Sequence, residues 1–307
     1  MPSHVARSPL QDTTPDEAPH IPNTGVHQAY DGSNILFRLL RIYGWGNLLN
    51  LGYFDWMSPF SLFSLPVAQR QLVRKTVRLL DLKGGERVLD AACGCGWSSS
   101  HIALSYPVKE VVGMDLLPHH VHICQSLYGN IPGLRCRQGD ATAMPFDDHS
   151  FDAVICIEAA FHFDRGKFIL EAGRVLRQGG RLVIVDFIWR SREEGLADHP
   201  ATRRVRSLWQ WDDFNNLDEY RQKAAEAGFT IRSLQDWTLN VTTTFYYIFR
   251  VICHLGGTPA GRRLLSWLNP PLRKISPAHW MELHEILLAH NHVRRQSRYM
   301  ALTLEKR

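Results

Sequence analysis

Residues 88–98 read VLDAACGCGWS, and three residue types in that stretch can do chemistry. Asp90 brings a carboxylate and Cys93 and Cys95 bring thiols, while Gly94 and Gly96 let the main chain approach a ligand with its amide N–H groups. The two cysteines could be half of a metal site, but the other half needs His or Cys at ligand spacing and none stands nearby in sequence. A glycine loop closing over a small ligand is the better fit, with both cysteines as small buried side chains. Farther on, Asp115 in GMDLL and Asp140 in GDATAMPFDDHSFD each end an apolar run. Asp115 suits the hydroxyls of a ribose; Asp140, with Met144 and Phe146, suits the amine and flat faces of an adenine. Glu158 and His162, in IEAAFHF, are titratable groups that could take a proton from a substrate.

These residues need a scaffold that brings strand ends together. From residue 82 short apolar runs alternate with helical patterns, the signature of a parallel sheet covered on both faces. The spacing predicts strands at 86–92, 110–116, 134–140, 151–159 and 180–188, the last entered through Gly179 and Gly180 as a helix cap, then 230–239 and 297–306. In such a sheet ligands bind beyond the carboxyl ends of the strands, where the strand order reverses, and the Asp90–Gly96 loop ends the first strand. A dinucleotide fingerprint would need a third glycine, whereas residues 94–99 read GCGWSS.

Composition excludes several classes. The net charge of +5 on 307 residues is small, and basic runs such as TRRVR (202–206) and RRQSR (294–298) are short, so no nucleic-acid partner is expected. The most apolar late run, FYYIFRVICHL (245–255), is eleven residues long and contains Arg250, too short and polar to span a bilayer. Six cysteines without paired CxxC units point to a reduced, cytoplasmic protein. Residues 1–25, dominated by Pro, Thr, Ser and Asp, read as a disordered tail without a signal peptide.

VLDAACGCGWSS, VVGMDLLPHHV, GDATAMPFDDHSFDAVICIEA and VLRQGGRLVIVDF, in that order over 86–188, resemble the class I S-adenosylmethionine-dependent methyltransferases. WGNLLNLGYFD upstream, IEAAFHF and the insertion before the last strand resemble the small-molecule branch, which includes sterol and tocopherol C-methyltransferases and macrolide O-methyltransferases. The resemblance implies an α/β fold: a Rossmann-like, seven-stranded, doubly wound sheet with its last strand antiparallel, plus a helical cap. The expected division is an N-terminal helical lid at 26–80, a cofactor-binding core at 81–238, a helical cap insertion at 239–296 and a final core strand at 297–307. It further implies S-adenosyl-L-methionine as cofactor, with Asp90, Gly94 and Gly96 along the methionine portion, Asp115 at the ribose and Leu116 on the adenine face. Asp140 and Ala141 would meet the adenine edge, and Tyr53 would close over the sulfonium side.

Methyl transfer is an in-line displacement that needs an aligned nucleophile, and a hydroxyl or carbon nucleophile must also lose a proton. His162 and Glu158 are the candidate catalytic bases, Glu158 the more so if the acceptor is a carbon. Tyr30, Tyr53, Phe161 and Phe163 offer electron-rich faces to a cation. The aromatics of 209–280 suggest a large apolar pocket and hence a hydrophobic secondary metabolite, O-methylated; C-methylation of an alkene through a carbocation and a non-catalytic scaffold are the alternatives. The NPP at 269–271 is followed by Leu272 far downstream, which argues against a nucleic-acid aminomethylase. No metal is required, and the amino-terminal helix could pack on a neighbouring copy.

Overall fold

The computed structural model describes residues 35–307, except 44, 45, 47, 58, 59, 192–194, 212 and 213. The expected tail at 1–25 and Tyr30 lie outside the described residues. Seven strands form one sheet: β1 (Arg87–Ala91), β2 (Glu110–Asp115), β3 (Leu134–Gln138), β4 (Phe151–Ile157), β5 (Leu176–Trp189), β6 (Phe229–Asp236) and β7 (Ser297–Lys306). Their order is β3-β2-β1-β4-β5-β7-β6. β1 to β5 pair in parallel, and β7 runs antiparallel to both β5 and β6. The order reverses between β1 and β4, so a crevice opens beyond their carboxyl ends.

Alternation along the strands feeds two cores. On one face Leu89, Val154, Leu182 and Leu302 pack against Phe168 and Ala172 of α5 (Arg165–Val175) and Tyr220 of α7 (Leu217–Glu226). On the other face Val88, Val111, Ile155 and Val183 pack against Val73 and Val77 of α2 (Leu65–Arg78) and Ile102 of α3 (Trp97–Ser105). Because β1, β2, β4 and the second half of β5 are buried on both faces, their sequences are nearly continuous apolar runs, whereas edge strand β3 reads LRCRQ with both arginines exposed. Helix starts are fixed locally: the Asp164 carboxylate accepts from Gly166 N and Lys167 N at the start of α5, and Asn216 and Glu219 form a capping box on α7. Helix α5 ends at Val175, and Gly179 and Gly180 fall inside β5, beside an irregularity in its pairing with β4, rather than capping the helix as expected.

A third core lies apart from the sheet. Between β6 and β7 the chain forms α8 (Thr244–Gly256), α9 (Pro259–Leu268) and α10 (Pro277–Gln296). Tyr246, Phe249, Trp280 and Leu283 from these helices pack with Leu36, Phe37 and Leu40 of α1 (Ile35–Ile42), so the segments before and after the sheet share one apolar cluster. The approach is close: a Cβ on Gly256 would fall 2.1 Å from Trp280 Cε3. Helix α6 (Pro200–Trp209), between β5 and α7, packs along α10.

The expectation of uniformly reduced cysteines fails at one pair. Helix α4 (Pro118–Tyr128) folds back along β3 and brings Cys124 within 6.1 Å, Cα to Cα, of Cys136, and the two form a disulfide. Their spacing of 12 residues in sequence carried no sign of this; the pairing follows from the packing of α4 on β3. Cys93, Cys95, Cys156 and Cys253 are free and buried.

Beneath the sheet's carboxyl edge, Arg165 Nε donates to Asp186 Oδ2 at 2.7 Å and to the Tyr220 hydroxyl at 2.9 Å, and that hydroxyl donates to the same Asp186 oxygen at 2.7 Å. The ion pair is almost fully buried and ties α5, β5 and α7 together. Removing one charge leaves the other uncompensated in a dry interior. Asp186→Asn should therefore lower unfolding free energy by about 3–5 kcal/mol in urea titration, whereas Tyr220→Phe should cost only about 1 kcal/mol.

Candidate active site

The crevice at the β1/β4 switch is a cleft of about 250 Å³. Asp90, Gly94, Asp115, Leu116, Asp140, Ala141, Glu158 and His162 all line it, so residues spread over 73 positions of sequence meet in one place. Gly94 has φ +55°, and a Cβ there would meet only Leu49 Cδ1 at 3.6 Å, so a side chain would project into the cleft. That is the opening through which a ligand can reach the main chain.

Three carboxylates organise the walls. Asp90, buried at the end of β1, accepts the hydroxyls of Ser98 and Ser99 on one oxygen, and burial still pushes its pKa up to about 6. Asp115 Oδ2 accepts from Gly94 N at 2.8 Å, while Oδ1 accepts from Leu117 N at 3.0 Å and faces His120 Nδ1 at 3.1 Å. It thus pins the glycine loop to the end of β2 and keeps capacity for about one further donor. Asp140 Oδ1 takes both the amide and the hydroxyl of Thr142, which leaves Oδ2 for an incoming amine. One acceptor for a hydroxyl, one for an amine, apolar Leu116 and Ala141 between them and an open main chain at Gly94 fit a nucleoside with a charged amino-acid arm.

Two of the expected residues do not line the cleft, for physical reasons. Gly96 does not line the cleft: it has φ +86°, and a Cβ there would fall 2.4 Å from Cys124 Sγ, so glycine is needed to seat α3 against α4. Tyr53 does not line it either; its ring packs edge-on to Trp237 at 5.4 Å beneath the Lys75 ammonium at 4.4 Å. Met144 and Phe146 belong to the sheet core instead of the adenine side. In their place the strip Leu48–Asn50 lines the cleft, as does Phe163. The repeat of serines in WSSS was the available sign of the Asp90 hydrogen bonds, whereas nothing in the sequence marked Leu49.

The cysteines beside Gly94 are poor metal ligands. Burial raises the Cys93 thiol well above its ordinary value and the Cys95 thiol to about 11, so both hold their protons. Among the described residues no cluster of three or more His, Cys, Asp or Glu could hold a metal ion.

A second cavity, of about 120 Å³, adjoins the first under the cap and shares Leu49 and Glu158 with it. Its wall is almost wholly apolar and includes Phe161, Trp209, Trp211, Phe214, Phe245 and Phe249. Trp237, Tyr247, Trp267 and Trp280 do not line it. Glu158 stands at the junction. Its backbone is held in the left-handed region at φ +50°, an unusual conformation for a glutamate. The carboxyl accepts from Leu51 N at 3.0 Å and from the Tyr299 hydroxyl at 2.6 Å. Burial pushes its pKa up to about 8 despite those two hydrogen bonds. His162 lines only the cleft; its Nδ1 faces Gln210 O at 3.4 Å, and burial brings its pKa down to about 4.

Comparison with known proteins agrees with this geometry. Residues 89–184 match the family model described as a methyltransferase domain. The chain is 38% identical over 122 residues to a phthiotriol/phenolphthiotriol dimycocerosates methyltransferase of Mycobacterium leprae, spanning 39% of this chain and 44% of that one. It is 28% identical to the O-methyltransferase cnsE of Penicillium expansum, over 80% of this chain and 87% of the relative. The geranyl diphosphate C-methyltransferase of Streptomyces coelicolor A3(2), solved with S-adenosyl-L-homocysteine, superposes with a TM-score of 0.65 at 15% identity, covering 95% of this chain and all of that one. The glycine loop at the switch point and the acidic ends of β1 and β2 thus fall within a stretch that matches a methyltransferase domain, on a sheet with the fold of the superposed C-methyltransferase.

Proposed function

We propose that the protein binds S-adenosyl-L-methionine in the glycine-loop cleft and transfers its methyl group to an oxygen of a hydrophobic small molecule held under the cap. The observation that carries this reading is the pair of adjoining cavities, one lined by the carboxylates and glycine loop at the strand ends, one almost wholly apolar, that meet at Leu49 and Glu158. The cofactor supplies an electrophilic methyl group. The chain's own contribution is to position the acceptor, exclude water with apolar walls and take a proton. Asp90, Gly94, Asp115, Leu116, Asp140 and Ala141 hold the cofactor in this reading. Likeness over most of its length to a relative named as an O-methyltransferase supports the choice of oxygen.

Of the two candidate bases, Glu158 has the stronger claim. It touches both cavities, and a carboxyl with a pKa of about 8 is a far better proton acceptor than an imidazole with a pKa of about 4. A cation bound beside it would favour its ionised form. His162 then serves as a neutral wall of the cleft. A second reading, methyl transfer to an alkene carbon, is supported by the aromatic faces of Phe161 and Phe187 in the same pocket and by the fold shared with a C-methyltransferase.

Incubation with methyl-labelled S-adenosylmethionine and an apolar metabolite extract, followed by NMR of the labelled product, separates these outcomes. A methyl ether or ester is expected; a methyl on carbon would move the assignment to the second reading, and no labelled product despite cofactor binding would favour a scaffold. With a substrate in hand, Glu158→Gln should lower kcat by about 10²–10⁴-fold while S-adenosylhomocysteine affinity stays within a few-fold. Wild-type kcat should rise with pH towards a plateau above about 8, the value to which burial raises Glu158; a profile flat from pH 6 to about 9 would instead favour a base such as His162, already deprotonated there.

The same carboxyl makes a stability prediction. Its folded pKa of about 8 lies above the ordinary 4.5, so between those values the folded state holds a proton that the unfolded state has lost. Stability from this group is therefore intact below about pH 4.5 and falls as pH rises to about 8, at up to about 1.4 kcal/mol per pH unit. Glu158→Gln should remove that slope, and urea unfolding of both proteins at pH 5 and pH 8 will measure the difference.

A further inference from the structure

The apolar pocket contains one permanently charged side chain that no carboxylate among the described residues matches. Arg294, near the end of α10, lines that pocket and not the cofactor cleft. Its guanidinium lies 4.8 Å from the centre of the Tyr246 ring, donates from Nη1 to Thr243 Oγ1 at 3.2 Å and from Nη2 to Asn291 Oδ1 at 2.9 Å. Its Nε is buried and has no acceptor among the described residues. No carboxylate among the described residues pairs with it; the nearby ionic groups that bear on it include Arg295 and Arg190, which repel it.

His290, Thr242 and Glu158, which also line the pocket, already have partners. His290 Nδ1 donates to Ile286 O at 2.8 Å, and its Nε2 accepts from Trp209 Nε1 at 2.8 Å, so the ring is neutral and fully used. The Thr242 hydroxyl donates to Thr238 O, and Glu158 is engaged by Leu51 N and Tyr299. The carbonyl end of α10 and the Tyr246 ring explain why a cation is tolerated here. They leave unexplained a planar donor fork on a half-buried guanidinium with one buried, unfilled N–H in an otherwise apolar wall.

We propose that Arg294 is a specificity-determining residue, and that the substrate carries an oxyanion, in the simplest case a carboxylate, which it binds at the cap end of the pocket. This rests on reading the apolar pocket as the acceptor site. Guanidinium binds carboxylate through parallel N–H donors, a geometry that neither an alcohol nor an ester reproduces. Because Arg294 lines only the apolar pocket while Glu158 lines both cavities, the anion serves as an anchor and the methylated atom is a different one at the Glu158 end. An apolar body of the right length then spans the two.

The test uses binding alone. Dodecanoate and 1-dodecanol, matched in length, are titrated by calorimetry at pH 7.5 into the full-length protein saturated with S-adenosylhomocysteine, and into Arg294→Lys and Arg294→Gln. Wild type should bind dodecanoate at least about tenfold more tightly than dodecanol. Arg294→Gln should abolish that preference with dodecanol affinity unchanged, and Arg294→Lys should keep part of it. Equal affinities in wild type, a preference that survives Arg294→Gln, or no binding of dodecanoate would each overturn the proposal. Failure of S-adenosylhomocysteine to bind in the same experiment would instead strike at the cofactor reading, and the acid-to-alcohol ratio would still decide the role of Arg294.

Discussion

The site depends on one buried carboxyl. Glu158 ends β4 in a left-handed backbone conformation, accepts from the main chain of the lid strip at Leu51 and accepts from Tyr299 on β7. Three stretches of chain more than a hundred residues apart in sequence are thereby fixed relative to one another at a single side chain. The local strain is sustained because the surroundings over-determine it: Glu158 N donates to Val185 O, and both carboxyl oxygens have donors. Removing water from that carboxyl raises its proton affinity, so the group that ties these segments together is also one whose pKa burial pushes up to about 8.

Around that point the division of labour follows from the sheet. Parallel strands send their carboxyl ends, with loops rich in carboxylates and glycine, to one edge, and the reversal between β1 and β4 leaves room there for a ligand. The cap contributes the opposite chemistry: side chains of α8 and α10, with aromatics that follow β5, make an apolar chamber facing that edge. Such a pairing suits a displacement reaction in which a charged donor and an apolar acceptor must meet without water.

Much of this was legible in the sequence, for reasons that can be named. Strands buried on both faces leave continuous apolar runs, so β1, β2, β4 and β7 were found to within a residue or two and β5 apart from its early start, while edge strand β3, LRCRQ, was located by its place in the alternation of strands and helices. Asp90, Gly94, Asp115 and Asp140 were recognisable because strand-end acids and loop glycines answer to local rules. What escaped notice depended on tertiary packing. Gly96 has the residue type of a ligand contact but is required by Cys124, and the Cys124–Cys136 disulfide arises only when α4 lies along β3. Tyr53 sits one turn of chain from the strip that covers the cleft, and no periodicity could say that Leu48–Asn50 would turn inward while Tyr53 packed on Trp237. Tyr299 as a partner of Glu158 was equally invisible, being 141 positions away.

Helix α1 and the helices between β6 and β7 share a single apolar cluster although they come from opposite ends of the chain. They are therefore mechanically one body. A flap hinged only at the amino-terminal side would have to strip Leu36, Phe37 and Leu40 from Tyr246 and Phe249, which exposes apolar surface to water and is opposed by the hydrophobic effect. Both segments also line the chamber, so they close over it together, as the two halves of a clasp rather than as two independent doors.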